Sequence, residues 1–356
     1  MVTEKLDNTK VIEFIDKSKM LDLAGNFFKQ CIKAREISEN FKPGVSYGQV
    51  KNIVVCGMGG SAVGGDILRV YLKDKIKTPL MVVRDYSLPA FVNKDTLLFC
   101  NSYSGNTEET LAAYKQAVKA KAKIVTITGG GKLKKLCDRH DTPCIIIPSG
   151  QPPRASLGYL FFPMLITLVK IGMVKSQKKN IDQTIKLLKT LSTELGPQRP
   201  TADNHAKQLA LRLYNKVPVI YGASEQTGIV ALRWRNQFNE NSKTFAVSNV
   251  FPELNHNEIV GWETLLNVTK NFHIMIMEDK DDHPRVKKRI QITGEIIKDK
   301  VGAVEHINSR GTSSLARLFS LISLGDFVST YLAVLYDVDP TPVKIIEYLK
   351  NELAKE

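Results

Sequence analysis

Short apolar runs recur along this chain and are separated by longer amphipathic stretches, an alternation that limits the fold more than any other feature. In the first half the runs are NIVVCG (52–57), PLMVVRD (79–85), TLLFCNS (96–102), AKIVTITGG (122–130) and TPCIIIPSG (142–150). Helix-length segments such as 61–73 and 107–120 lie between them. A strand covered on both faces reads as a continuous apolar run, and parallel neighbours need a helical crossover. The pattern therefore predicts a parallel sheet flanked by helices, an α/β/α sandwich. Residues 151–216 differ: LGYLFFPMLITLVKIGMV, QTIKLLKTLSTELG and NHAKQLALRLYNK have helical spacing and no strand, and read as a helical bridge. Strands resume with VPVIYGAS (217–224), KTFAVSN (243–249), NFHIMIMED (271–279) and VGAVEHIN (301–308).

The two halves begin alike. VVCGMGGSAVGGDILRVYL and VIYGASEQTGIVALRWRNQF both run from a buried strand through a glycine turn into a helix, so the chain reads as two α/β domains of one type. A length of 356 residues accommodates both cores. The expected division is a helical extension over 1–40, an N-terminal domain over 41–185 and a C-terminal domain over 186–356. The last domain takes in much of the helical bridge and ends in a helical tail from Leu315, broken near Asp339, Pro340 and Pro342.

Composition narrows the function. Five cysteines (Cys31, Cys56, Cys100, Cys137 and Cys144) form no CxxC pair, and three of them (Cys56, Cys100 and Cys144) fall inside the apolar runs, as reduced small hydrophobes do. That usage and the charged start MVTEKLDNTK point to the cytoplasm. The longest candidate membrane run, Tyr159 to Val169, is about half the roughly 20 residues that a membrane span requires, so no membrane association is expected. The net charge of +14 is spread along the chain rather than gathered in one stripe. Such a distribution fits a solvated surface that steers phosphorylated small molecules, and does not favour nucleic acid.

Two turns carry the chemistry. GMGGSAVGGD (57–66) satisfies the loose dinucleotide pattern through Gly57, Gly59 and Ala62, with Asp85 closing the next strand at a distance suited to a ribose hydroxyl. A nicotinamide-dependent dehydrogenase is thus one reading of the first turn; tight packing of a helix on the sheet is another. NSYSGNTEET (101–110) argues against the dinucleotide. A loop at the carboxyl end of a parallel strand faces the positive end of the next helix, and Ser102, Ser104 and Thr107 there supply neutral donors for a phosphate monoester. Helix capping by Asn106 or Thr107 would explain one of these hydroxyls, but not Ser102 and Ser104 together.

The glycine turn with its serine, followed by SxSGxTxE after the third strand, resembles the sugar isomerase (SIS) domain. SGQPPRASLGYL (149–160), WRNQFNENSK (234–243), PELNHNEIVGW (252–262) and DPTPVKIIEYLK (339–350) narrow the resemblance to the bifunctional phosphoglucose/phosphomannose isomerase family, from about Asn52 to Lys350. The resemblance implies two SIS domains with the site at the carboxyl ends of the strands. It implies interconversion of glucose 6-phosphate, mannose 6-phosphate and fructose 6-phosphate through a cis-enediol, with no metal or organic cofactor. Substrate would be bound by Gly60, Ser61, Ser102, Ser104 and Thr107. Glu240 would be the base. His256, donated by the neighbouring subunit of a homodimer, would open the ring, assisted by Lys350, with Lys344 as the alternative. Arg154, in a loop stiffened by two prolines, would sit near the developing enediolate charge.

Several chemistries find no motif. HExxH, HxH and CxxC are absent, and the remaining histidines (His140, His205, His273, His283 and His306) are scattered. GGGK at 129–132 is followed by Leu133 rather than by the Ser or Thr of a phosphate loop. A second rival is a non-catalytic SIS protein that senses a sugar phosphate; it would keep the serine loop without needing Glu240 or His256.

Overall fold

Strands form at the expected apolar runs and assemble into two separate parallel sheets. They are seen in a computed structural model describing residues 2–44, 47–224, 226–353 and 355; Glu225, in the second glycine turn, lies outside the described residues. The first sheet contains β1 (Asn52–Cys56), β2 (Leu80–Val83), β3 (Thr96–Ser102), β4 (Lys123–Thr128) and β5 (Cys144–Ile146), in the order β2-β1-β3-β4-β5. The second contains β6 (Val217–Ala223), β7 (Val247–Phe251), β8 (Phe272–Glu278) and β9 (Ala303–Asn308), in the order β7-β6-β8-β9. Each pairing in both sheets is parallel.

The chain divides into two compact units. One takes in residues 27–186 with 311–316; the other takes in 1–26, 187–310 and 317–356. The boundary falls inside the helix Lys178–Leu195. Residues 1–26 join the second unit through Asp7, whose carboxylate accepts hydrogen bonds from Thr201 Oγ1 (2.8 Å) and from Lys207 Nζ (3.1 Å). Lys207 is fully buried, and an ammonium out of water requires such a partner.

In the first unit β3 is the central strand, and every one of its residues is buried. Helices Glu108–Lys119 and Gly131–His140 cover one face of this sheet through Ala113, Tyr114, Ala117, Leu133 and Cys137. All five cysteines are free thiols, four of them buried. Burial pushes Cys56 up to about 12 and Cys100 well above the ordinary thiol value, so these thiols pack as small hydrophobes.

The second unit departs from expectation twice. β7 begins at Val247 rather than near Lys243, because the preceding helix ends in a π turn, Phe238–Ser242, and Lys243 is left-handed at φ 54°. Only from Val247, paired with Val219, does the chain run beside β6. The longest apolar helix is Ser314–Leu335, not the run at Tyr159; at 22 residues it is long and apolar enough to cross a membrane, yet its apolar window is wholly buried in the fold. Its charges are paired: Arg317 with Asp279 at 2.8 Å and Asp326 with Arg233 at 2.8 Å. Gly325 admits the Trp234 ring, where a methyl group would stand 2.2 Å from Nε1, and that nitrogen donates to the Leu321 carbonyl at 2.8 Å. These features mark a core helix.

Candidate active site

The first unit gathers Gly60, Ser61, Ser102, Ser104, Thr107 and Arg154 at the carboxyl end of its sheet. The glycine turn follows β1 and opens the helix Gly59–Leu72, with Gly59 at φ 49°. At Gly60 an added Cβ would lie 2.7 Å from the Pro153 carbonyl oxygen and 3.2 Å from Arg154 Cα, so the absence of a side chain draws the turn Pro153–Ala155 onto this helix end. Arg154 is thereby held in a buried position. The same contact weighs against a dinucleotide: the protein's own backbone takes the close approach that a pyrophosphate would need. Asp85 is exposed and accepts from the adjacent Tyr86 amide at 2.6 Å.

The serine loop is built around left-handed Gly105 (φ 70°), where a side chain would collide with the Gly130 carbonyl. Ser102, fully buried, shares a 2.9 Å hydrogen bond with the Thr107 hydroxyl and accepts from the Gly105 amide at 3.1 Å. Ser104 is exposed and accepts from the Asn106 amide at 3.2 Å. Ser61 accepts from the Tyr103 amide at 3.3 Å, tying the glycine turn to this loop. Thr107 occupies the N-cap of helix Glu108–Lys119 but makes no side-chain capping bond. The hydroxyl cluster is therefore not consumed by capping, and it stands at a positive helix end.

Two supporting residues escaped the sequence reading. Tyr103, buried, accepts at its hydroxyl from the Gln151 amide (3.2 Å) and at its carbonyl from Gly129 (3.0 Å), joining three loops. Gln30 donates to the Ala155 carbonyl (2.7 Å) and accepts from the Gly158 amide (2.6 Å), bracing the Arg154 turn from the helix Phe27–Asn40. Both look like ordinary core or helix residues in sequence; only a polar Gln among buried positions of a helix hints at a partner.

In the second unit Glu240 lies within the π turn, a distortion that recurs at functional sites. Its neighbours fix it. Asn241 donates to Ser329 Oγ at 3.0 Å, Asn239 accepts from the Ala246 amide at 3.1 Å, and Lys243 Nζ donates to the Pro340 carbonyl at 3.0 Å. Glu240 lines a cavity of about 780 Å³, whose walls include Asn239, Lys243, Val338 and the residues from Pro342 to Ile346. Lys344 is on that wall, in the first turn of helix Lys344–Leu353; Lys350, exposed in its last turn, is not.

His256 ends a turn of 3-10 helix, Glu253–His256, beyond the cis Phe251-Pro252 bond, and its side chain is exposed. The sheet topology separates it from Glu240 of its own chain. The helix after β6 returns the chain to the amino end of the sheet, where Asn239 meets Ala246 just before β7; His256 follows the carboxyl end of β7. The five residues of β7 span about 16 Å. Glu240 is thus at the amino end of the second sheet, a correction to the expectation that the site residues gather at carboxyl ends. The helix that follows a parallel strand must run back antiparallel to it, so a residue at that helix's end lands on the opposite rim. Among the described residues, no group of three or more His, Cys, Asp or Glu side chains is arranged to hold a metal ion.

Comparison with known proteins follows the same division. Residues 47–153 match the SIS domain, and 202–353 match the bacterial phospho-glucose isomerase C-terminal SIS domain. Fold and site together define a double SIS-domain protein. Among solved structures, a glucose-6-phosphate isomerase like protein from Thermus thermophilus shares this fold, with a TM-score of 0.62, 18% identity, and coverage of 96% of this chain and 99% of that one. Curated relatives are nearer. The chain is 48% identical over 336 residues to the bifunctional phosphoglucose/phosphomannose isomerase of Caldicellulosiruptor bescii, covering 94% of this chain and 99% of that protein. It is 38% identical over 307 residues to the namesake of Aquifex aeolicus, covering 86% and 91%. The chain belongs to the bifunctional phosphoglucose/phosphomannose isomerase family, a family of enzymes.

Proposed function

We propose that the protein interconverts glucose 6-phosphate and mannose 6-phosphate with fructose 6-phosphate through a shared cis-enediol. The observation that carries this reading is the hydroxyl cluster of Ser102 and Thr107, joined to each other rather than spent on capping, in a chain whose relatives act on phosphorylated hexoses. The cluster binds the phosphate monoester with Ser61, Ser104 and the backbone about Gly60, using neutral donors and the helix end in place of a cation. Glu240 takes the C2 proton of the open-chain aldose and returns it at C1. Arg154 stabilises the enediolate oxygen. His256 of the partner subunit protonates the ring oxygen during opening, and Lys350 assists; Lys344, beside Glu240, is the alternative for that last role. The separation of Glu240 and His256 along β7 supports donation across a homodimer. Either C2 epimer reaches the same planar enediol, so one base serves both sugars if the open chain rotates about C2–C3.

The test is formation of fructose 6-phosphate from each aldose, in the presence of EDTA, by the wild type and by Glu240→Ala. Both sugars should turn over, and the variant should lose about 10²- to 10⁴-fold in kcat on both. Absence of turnover by the folded wild type would leave the sensor reading in its place. Parallel assays of Lys350→Ala and Lys344→Ala assign the ring-opening lysine to whichever variant loses turnover.

A further inference from the structure

The segment bearing His256 is pinned on both sides by polar contacts that the proposed chemistry does not use. On one side Asn255 donates to Thr293 Oγ1 at 2.8 Å, reaching the buried face of helix Pro284–Ile297. On the other, both carboxylate oxygens of Glu258 are engaged: Tyr221 of β6 donates to Oε1, and Asn249 of β7 donates to Oε2. The Asn257 side chain accepts from the Glu258 amide at 2.6 Å and donates to Glu253 at 2.9 Å. Apolar anchors bracket the same stretch: Leu254 and Trp262 enter the core that holds Tyr221 and Phe251.

A half-buried carboxylate with two donors from two different strands is a costly way to fix a loop that already has two apolar anchors. Apolar contacts are non-directional, whereas a bidentate hydrogen-bonded carboxylate fixes both position and orientation. Between the anchors, His256 projects into solvent. We infer that Glu258 is a positioning residue for the isomerase reaction, holding the turn that presents His256 in the orientation needed for ring opening. The inference rests on the role given to His256 above. Tyr221 is suited to its part: full burial, and then the adjacent Glu258 charge, push its phenol far above the ordinary value, so it remains a donor throughout the working pH range.

The test places Glu258→Ala and Glu258→Gln in the wild-type and His256→Ala backgrounds and follows fructose 6-phosphate formation from glucose 6-phosphate. Thermal melting and amide hydrogen exchange are measured on the same proteins. In the wild-type background Glu258→Ala should lower kcat about 10- to 100-fold with KM changed little, because a misplaced catalytic group affects the chemical step. Glu258→Gln, which still accepts one hydrogen bond, should recover part of the loss. In the His256→Ala background Glu258→Ala should cost nothing further, since the two residues act as one unit. Exchange at residues 253–260 should rise about tenfold without a change in β6. An equal fold-loss in both backgrounds, no loss in the wild type, or unchanged exchange at 253–260 would each overturn the inference. Inactivity of the wild type would instead contradict the isomerase reading, and the exchange measurement would still decide whether Glu258 orders the turn.

Discussion

Single residues decide whether the serine loop and the glycine turn beside it keep their shape. Gly60 and Ser102 serve that shape differently, one by lacking a side chain and the other by its hydroxyl. In Gly60→Ala the new methyl group meets backbone rather than a movable side chain, at 2.7 Å from the Pro153 oxygen. The expected result is a stability loss of about 1–3 kcal/mol, seen as a lower Tm, together with a raised KM as the Arg154 turn is pushed away. Ser102→Ala removes a hydroxyl bonded to Thr107 and to the Gly105 amide, and should raise KM about tenfold with a smaller effect on stability. The residue types of this loop were legible in the sequence, because several hydroxyls after a buried strand exceed what capping needs. The supports Tyr103 and Gln30 were not: their partners lie far along the chain, and long-range partners leave no local spacing to read.

At the scale of elements, the apolar runs specified strands well because strands covered on both faces must be apolar throughout; β3 matches its run residue for residue. The π turn at Phe238–Ser242 and the late start of β7 were hidden, since no apolar period distinguishes a π turn from an α turn. The helical tail expected from Leu315 begins as the helix Ser314–Leu335, but its length as an apolar element was hidden, because its charges interrupt the apolar run in sequence and are cancelled by partners in space. A further cluster ties elements of the second unit together. Glu305 of β9 pairs with Arg212 at 2.6 Å and with His273 of β8 at 3.2 Å. Burial alone would raise this carboxyl, but the bonds from His273 and Arg212 prevail and hold it at about 2, below its ordinary 4.5. A depressed carboxyl stabilises the fold above its unfolded value and loses that contribution as pH falls toward the folded one. Stability from Glu305, at most about 3 kcal/mol, should therefore fade between pH 4.5 and 2. Chemical denaturation of Glu305→Gln should show lower stability than wild type at pH 7 and a gap that narrows through that window; a gap independent of pH would contradict the assignment.

For the whole molecule, the arrangement of Glu240 and His256 matters most. The sequence places both in recognisable segments, WRNQFNENSK and PELNHNEIVGW, but says nothing of which rim of the sheet each occupies. A parallel β-α-β connection settles that: Glu240 falls on the amino side and His256 on the carboxyl side of one sheet. A closed twofold dimer gives a chain access to the partner's copy of a residue that its own fold holds away. The decisive measurement mixes Glu240→Ala and His256→Ala proteins, dissociates and reassociates them, and assays glucose 6-phosphate and mannose 6-phosphate separately. Random pairing makes about half the dimers mixed, each with one intact site, so turnover of both sugars should rise from near zero to about one quarter of wild type. If mixing restores neither activity while each variant remains a folded dimer, the proposed active site, with its base from one subunit and its histidine from the other, is contradicted.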